Sequence, residues 1–244
     1  MPWLDACGGD QRKDVLDVYA ASSLQDALKE VNQAFARAHG VKVNMNNGSS
    51  GKLSVQIELG GNCDVFLSAG DKEMDRLDEL GAVDRASRRA LLSNQLVIVA
   101  DRDETEGIAG PEDLAGERVK RLSLANPDGV PAGRYARTWL QQAGVWERVQ
   151  DKVLPASNVR AALAAVTSGG AEAGVVYRTD AAISDRVEIV YTLPPGEGPE
   201  IRYPVAAMLD RPRREQSELY VAFLGTDEAL QVFRRHGFLV LEDG

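Results

Sequence analysis

Two serine pairs stand where an apolar run gives way to a helical pattern: Ser22 and Ser23 in YAASSLQD, Ser49 and Ser50 in NNGSSGKL. A serine in that place has two uses. Its oxygen accepts from a first-turn amide, a cap that contributes roughly 1 kcal/mol. Alternatively its hydroxyl, with the bare amides of a helix start, donates to an anion. Ser22, with Gln25 three residues on, and Ser23, with Asp26, can both be written as capping boxes. Around the second pair, Gly48 and Gly51 let the backbone bend and keep its amides exposed. This is not a nucleotide-binding phosphate loop, which needs four residues between its glycines and then Gly-Lys-Ser/Thr. Here only Ser49 and Ser50 separate the glycines and Leu53 follows Lys52, so Lys52 is expected in solvent.

Three further turns offer the same kind of donor. NPDGVPAGRYA puts Ala132 at a helix start behind Pro131, whose ring pre-sets the first helical turn. PASNVRAAL has Asn158 as a cap with the Val159 amide free behind it. In GVVYRTDA, Tyr177 ends a buried-looking strand and faces a turn, where Arg178 and Asp180 read as a turn ion pair or as solvated charges. Each feature alone is satisfied by an ordinary helix start or a locally bonded tyrosine. Together they form a set of hydroxyls and amides.

The elements that must position them alternate along the chain. Strands are expected at Val15–Ala20, Val41–Asn46, Val65–Ala69, Leu96–Ala100, Arg121–Ala125, Ala173–Tyr177, Val187–Thr192 and Tyr203–Met208. Helical patterns lie between them. The clearest places Leu24, Ala27, Leu28, Val31, Ala34, Phe35 and Ala38 on one face, stopped by Gly40. The βα rhythm occurs twice, with extended segments near 95–100 and 203–208 between. That predicts two α/β lobes joined by two crossing strands, each a mainly parallel sheet flanked by helices. The expected division is a tail over 1–13, a first lobe of 14–94 with 205–244, and a second of 95–204. Ligands of such sheets gather beyond the carboxyl ends of the strands.

Composition narrows the chemistry. The chain has 244 residues and a net charge of −9, which argues against nucleic acid or an anionic membrane as the main partner. Local dipoles can still attract a small anion. No run of 18 apolar residues suggests a transmembrane helix. Two cysteines and two histidines are too few for a disulfide scaffold or a metal cluster. His39 and His236 both sit before glycines near helix ends, where a cation complements the dipole. Cys63, before DVFLSA, is expected to act as a small buried hydrophobe. Leu-x-Ala-Cys in MPWLDACGGD has the order of a lipoprotein processing site at Cys7, although neither a basic region nor an apolar core precedes it.

The turns occur in a familiar order. YAASSLQDAL, NGSSGKLSVQIELG, CDVFLSAGDKEMDRL, LLSNQLVIVA, DGVPAGRYA, NVRAAL, GVVYRTDA and RYPVAAM resemble, over roughly 14–240, the molybdate-binding proteins of ABC importers. The resemblance implies a type II periplasmic-binding-protein fold with a small oxyanion between two lobes. It implies as ligands the hydroxyl and amide of Ser23 and of Ser50, the amides of Ala132 and Val159, and the hydroxyl of Tyr177. Those five would contact the molybdenum oxyanion, and no residue is a direct metal-cation ligand. Gly51 stands where the family often has serine, and Ser22 where it often has alanine. The implied partners are molybdate or tungstate and an importer permease with its ATPase. The protein would be periplasmic or extracytoplasmic, monomeric, with Cys7 as a lipid anchor, and with no cofactor, nucleic acid or enzymatic activity.

Chemistry agrees with a donor-only site. Molybdate and tungstate are fully ionised tetrahedral dianions at neutral pH, and their oxygens only accept. Hydroxyls and amides supply fixed donors, whereas hydrogen phosphate wants an acceptor as well. Sulfate carries the same charge and differs in size. An enzyme on the same fold is the rival from another class, but no Cys–His pair, paired carboxylates or metal cluster accompanies the turns.

Overall fold

A computed structural model describes residues 15–241, so the expected tail and Cys7 lie outside the described residues. The chain begins with β1 (Val15–Ala21), a 3-10 turn at Ser22–Leu24, α1 (Gln25–His39), β2 (Lys42–Gly48), α2 (Ser50–Glu58), β3 (Val65–Leu67), α3 (Asp71–Glu79) and β4 (Arg89–Ser93). It continues through β5 (Leu96–Asp101), β6 (Leu122–Ala125), α4 (Pro131–Gln142), α5 (Trp146–Val149), β7 (Val153–Ala156), α6 (Val159–Thr167), β8 (Ala173–Tyr177), α7 (Arg178–Ala181) and β9 (Val187–Thr192). It closes with β10 (Tyr203–Ala207), α8 (Arg214–Leu224), α9 (Asp227–Arg235) and β11 (Leu239–Val240).

Two sheets result, ordered β11-β4-β10-β3-β1-β2 and β7-β6-β8-β5-β9. The expected two-lobed α/β architecture is present, but the sheets are mixed rather than mainly parallel. β1 lies parallel to β2 and β3, and β6 parallel to β7 and β8. β10 runs antiparallel to β3 and β4, and β5 antiparallel to β8 and β9. Parallel neighbours need a crossover connection, whereas antiparallel ones do not. Strands that arrive from the other lobe bring no crossover helix on their own sheet, and they insert antiparallel.

The chain passes between the sheets twice, at Asn94–Gln95 and over 193–202. Side chain and backbone tie the two passages together. Gln95 Nε2 donates to the Leu193 carbonyl at 2.8 Å, and the Leu193 amide to the Leu96 carbonyl at 3.0 Å.

Local sequence accounts for most elements. On α1, Ala27, Leu28, Val31, Ala34 and Phe35 are buried as their spacing requires, and Gly40 ends the helix at φ +71°. Ala38, expected on that face, is exposed in the last turn. β7 was not legible. It lies at the edge of its sheet and carries Pro155, which lacks the amide a central strand would need. β4, α5 and β11 were not among the expected elements, and α5 and β11 have only four and two residues. Cys63 is fully buried, and burial pushes its thiol far up, so it behaves as a hydrophobe. His39 lies in the last turn of α1 against Phe35 and Phe223, and His236 ends α9 beside Glu30.

Candidate functional site

Five strands point their carboxyl ends at one place. β1 ends at Ser22–Ser23, β2 at Ser49–Ser50, β6 leads to the start of α4, β7 to the start of α6, and β8 ends at Tyr177. Ser23, Ser50, Ala132, Val159 and Tyr177, the five sequence candidates, line one small pocket with Ala21, Ser22, Gly48, Ser49, Ala69, Val130 and Pro131. The cavity is about 10 Å³, on the scale of the space one water centre occupies. A wider groove of about 1110 Å³ lies beside it, lined by mixed charges including Lys52, Arg76, Glu79 and Asp128. The small pocket holds the buried Tyr177 hydroxyl.

The caps divide differently from the sequence expectation. Ser49 caps α2, its Oγ accepting from the Lys52 amide at 3.4 Å, which leaves Ser50 as the first helical residue. Asn158 caps α6 as expected, accepting from the Ala161 amide at 2.9 Å. Ser22 caps nothing. The 3-10 turn starts from Ala21 and α1 from Leu24, and neither junction has a side-chain cap. An extra tight turn between strand and helix moves both serines out of capping position.

Each hydroxyl is poised to donate into the pocket. Ser50 Oγ accepts from the Ala69 amide at 3.0 Å, so its own proton is free. Ser23 Oγ lies 3.1 Å from Tyr203 Oη. Tyr177 is 1% exposed, and its hydroxyl has no partner. The amides of Ser23, Ser50, Ala132 and Val159 donate to no backbone carbonyl among the described residues, as expected at helix starts.

Residues 16–239 match the model of the bacterial extracellular solute-binding protein family. The chain belongs to that family. Among curated relatives of this solute-binding protein, the molybdate-binding protein ModA of Escherichia coli is 34% identical over 229 residues, covering 92% of this chain and 89% of the relative. YvgL of Bacillus subtilis, named for a role as an ABC transporter substrate-binding lipoprotein, is 32% identical over 229 residues, covering 93% and 87%. The solved periplasmic molybdate-binding protein of Azotobacter vinelandii superposes with a TM-score of 0.82 at 22% identity, covering 93% of this chain and all of that one, which supports the fold.

Of the two charges beside Tyr177 in this solute-binding protein, Arg178 is solvated, as one of the two sequence expectations had it, and Asp180 is not. Asp180 does not pair with Arg178, which is exposed. It is fully buried, with Arg160 Nε 2.5 Å from Oδ1. Burial raises its carboxyl to about 7, although the Arg160 guanidinium beside it pulls the other way. The turn pairing failed because β8 runs straight into α7 and turns Asp180 inward, towards α6.

The same guanidinium reaches the other sheet's elements. Arg160 Nη1 is 2.7 Å from Asp26 Oδ2, and Nη2 donates to the Ser23 carbonyl at 3.4 Å. Arg134 on α4 pairs with Glu73 on α3 at 2.8 Å. Backbones also meet, since a Cβ on Gly51 would lie 2.0 Å from the Gly129 carbonyl oxygen. The two halves are therefore closed upon the pocket. Lys52 is exposed, as expected. No cluster of His, Cys, Asp or Glu that could hold a metal occurs among the described residues. Sequence reasoning missed Tyr203, Asn94, Arg160 and Asp26, because their roles depend on partners more than 80 residues away.

Proposed function

We propose that this protein captures molybdate, and tungstate with it, outside the cytoplasm and delivers it to the permease and ATPase of an ABC importer. The ligands are the hydroxyls and amides of Ser23 and Ser50, the amides of Ala132 and Val159, and the Tyr177 hydroxyl. The observation that carries this reading is that hydroxyl, buried in the pocket with nothing to accept its proton. A buried unpaired donor costs about 1–3 kcal/mol, and an oxyanion offsets it. Similarity to ModA of Escherichia coli supports molybdate as that anion.

No arginine or lysine lines the small pocket. Helix starts and hydroxyls pair every oxygen of a dianion without a fixed countercharge, which also lets the ligand leave when the transporter parts the lobes. The lobes follow the expected 14–94 with 205–244, and 95–204, except that the second boundary falls back into the 193–202 passage because β10, from Tyr203, belongs whole to the first sheet; they move about the two passages between the sheets. In this reading the protein acts as a monomer without catalysis. YvgL's naming as a lipoprotein supports a lipid anchor at Cys7, which incorporation of labelled palmitate, lost in Cys7→Ala, would reveal.

Calorimetric titration with molybdate, tungstate, sulfate and phosphate tests the assignment. Tight binding of molybdate and tungstate with weak sulfate and phosphate is expected. Sulfate binding as tightly as molybdate would replace this reading with a general dianion carrier. Binding of none of the four would end it.

A further inference from the structure

Ser23 does not act alone. Its Oγ lies 3.1 Å from Tyr203 Oη, and Tyr203 Oη in turn lies 3.2 Å from Asn94 Nδ2. Asn94 Nδ2 also donates to Thr179 Oγ1 at 2.8 Å, while Asn94 Oδ1 accepts from the Gln95 amide at 2.9 Å. That last bond orients the carboxamide, since an amide proton can meet only its oxygen. Nδ2 therefore faces Tyr203 as a donor and accepts nothing. Tyr203 is 2% exposed, and burial holds its phenol in the protonated form. Among the described residues its single proton has one acceptor in hydrogen-bond reach, Ser23 Oγ. Ser23 Oγ thus receives a hydrogen bond from behind, and its own proton turns towards the pocket.

Resting on the oxyanion reading above, we propose that Asn94 and Tyr203 are positioning residues that make Ser23 an obligate donor to the bound anion. The relay starts at the passage between β4 and β5 and runs through the first residue of β10, so both places where the chain changes sheets set the direction of one ligand proton. Without Tyr203 the Ser23 hydroxyl is free to rotate, and part of its donation is lost before the ligand arrives. Ser50, whose oxygen accepts from the Ala69 amide, is aimed separately by backbone.

A double-mutant cycle tests the relay. Molybdate affinity is measured by calorimetry for the full chain, Ser23→Ala, Tyr203→Phe and the pair, with unfolding midpoints of the ligand-free proteins read alongside. Tyr203→Phe is expected to weaken binding about tenfold where Ser23 is present, the size of one well-placed hydrogen bond, and to add little where Ser23 is already alanine. Asn94→Ala, which keeps the Tyr203 ring and its packing, is expected to give a smaller loss that also vanishes with Ser23. Equal losses in both backgrounds, or no loss in either variant, would overturn the relay while leaving the oxyanion reading intact. Failure of the unaltered chain to bind molybdate would instead overturn that reading, and the relay with it.

Discussion

At the scale of single residues, two adjacent serines have different fates. Ser23 is held from behind and faces the pocket, whereas Ser22 lines it with neither a cap nor a partner to aim its hydroxyl. Ser23→Ala is expected to weaken molybdate binding about 10- to 100-fold, the range for a hydrogen bond to a charged group. Ser22→Ala should cost much less, and equal losses in paired titrations would reject the distinction. Tyr177→Phe should both weaken binding and raise the melting temperature of the ligand-free protein, because it removes a buried donor without a partner. Asp180 predicts a pH effect. Its folded value near 7 lies above the ordinary 3.8, so between those values the folded chain holds a proton the unfolded chain has released. Stability of the ligand-free protein therefore falls as pH rises through that window and levels off above it. Urea unfolding across the window should show this slope in the native chain and a flatter one in Asp180→Asn.

At the scale of elements, the site is a convergence of helix starts. α2, α4 and α6 each follow a parallel strand and bring their first amides to the strand's carboxyl end. Glycine sets how closely these starts approach. On Gly133, in the first turn of α4, a Cβ would sit 2.0 Å from the Ala125 carbonyl within the same half, so Gly133→Ala should lower the melting temperature outright. A Cβ on Gly51 meets the Gly129 carbonyl across the cleft instead. Gly51→Ala is expected to leave the ligand-free melting temperature nearly unchanged while weakening molybdate about tenfold, because only the closed form is crowded. A fall in melting temperature matching the loss of affinity would show that the halves are already closed without ligand.

At the scale of the whole molecule, closure joins the halves through contacts between their side chains. Arg160 reaches Asp26 and the Ser23 carbonyl, and Arg134 reaches Glu73. If these contacts exist only when the lobes close, ligand binding contracts the molecule, and small-angle scattering should register a smaller radius of gyration on adding molybdate. Arg134→Ala is expected to reduce that contraction and to speed ligand release. An unchanged radius in the native chain would argue for a pocket that is closed without ligand.

Sequence by itself determined where strands give way to helices. Strand, turn and helix signals are local, and Ser23, Ser50, Ala132, Val159 and Tyr177 each sit at such a junction, where propensity and capping chemistry act over a few residues. It put the first crossing beside Leu96, where the chain does change sheets, but the second near 203–208, whereas the chain changes sheets earlier, over 193–202. Tertiary structure alone decided the rest. Which way β5 and β10 run, why Asp180 prefers Arg160 to its neighbour Arg178, and which hydroxyl stands behind Ser23 all depend on residues far apart in the chain. Hydrogen bonds and buried ion pairs need atoms within a few ångströms, and no local pattern records a partner that only folding brings near.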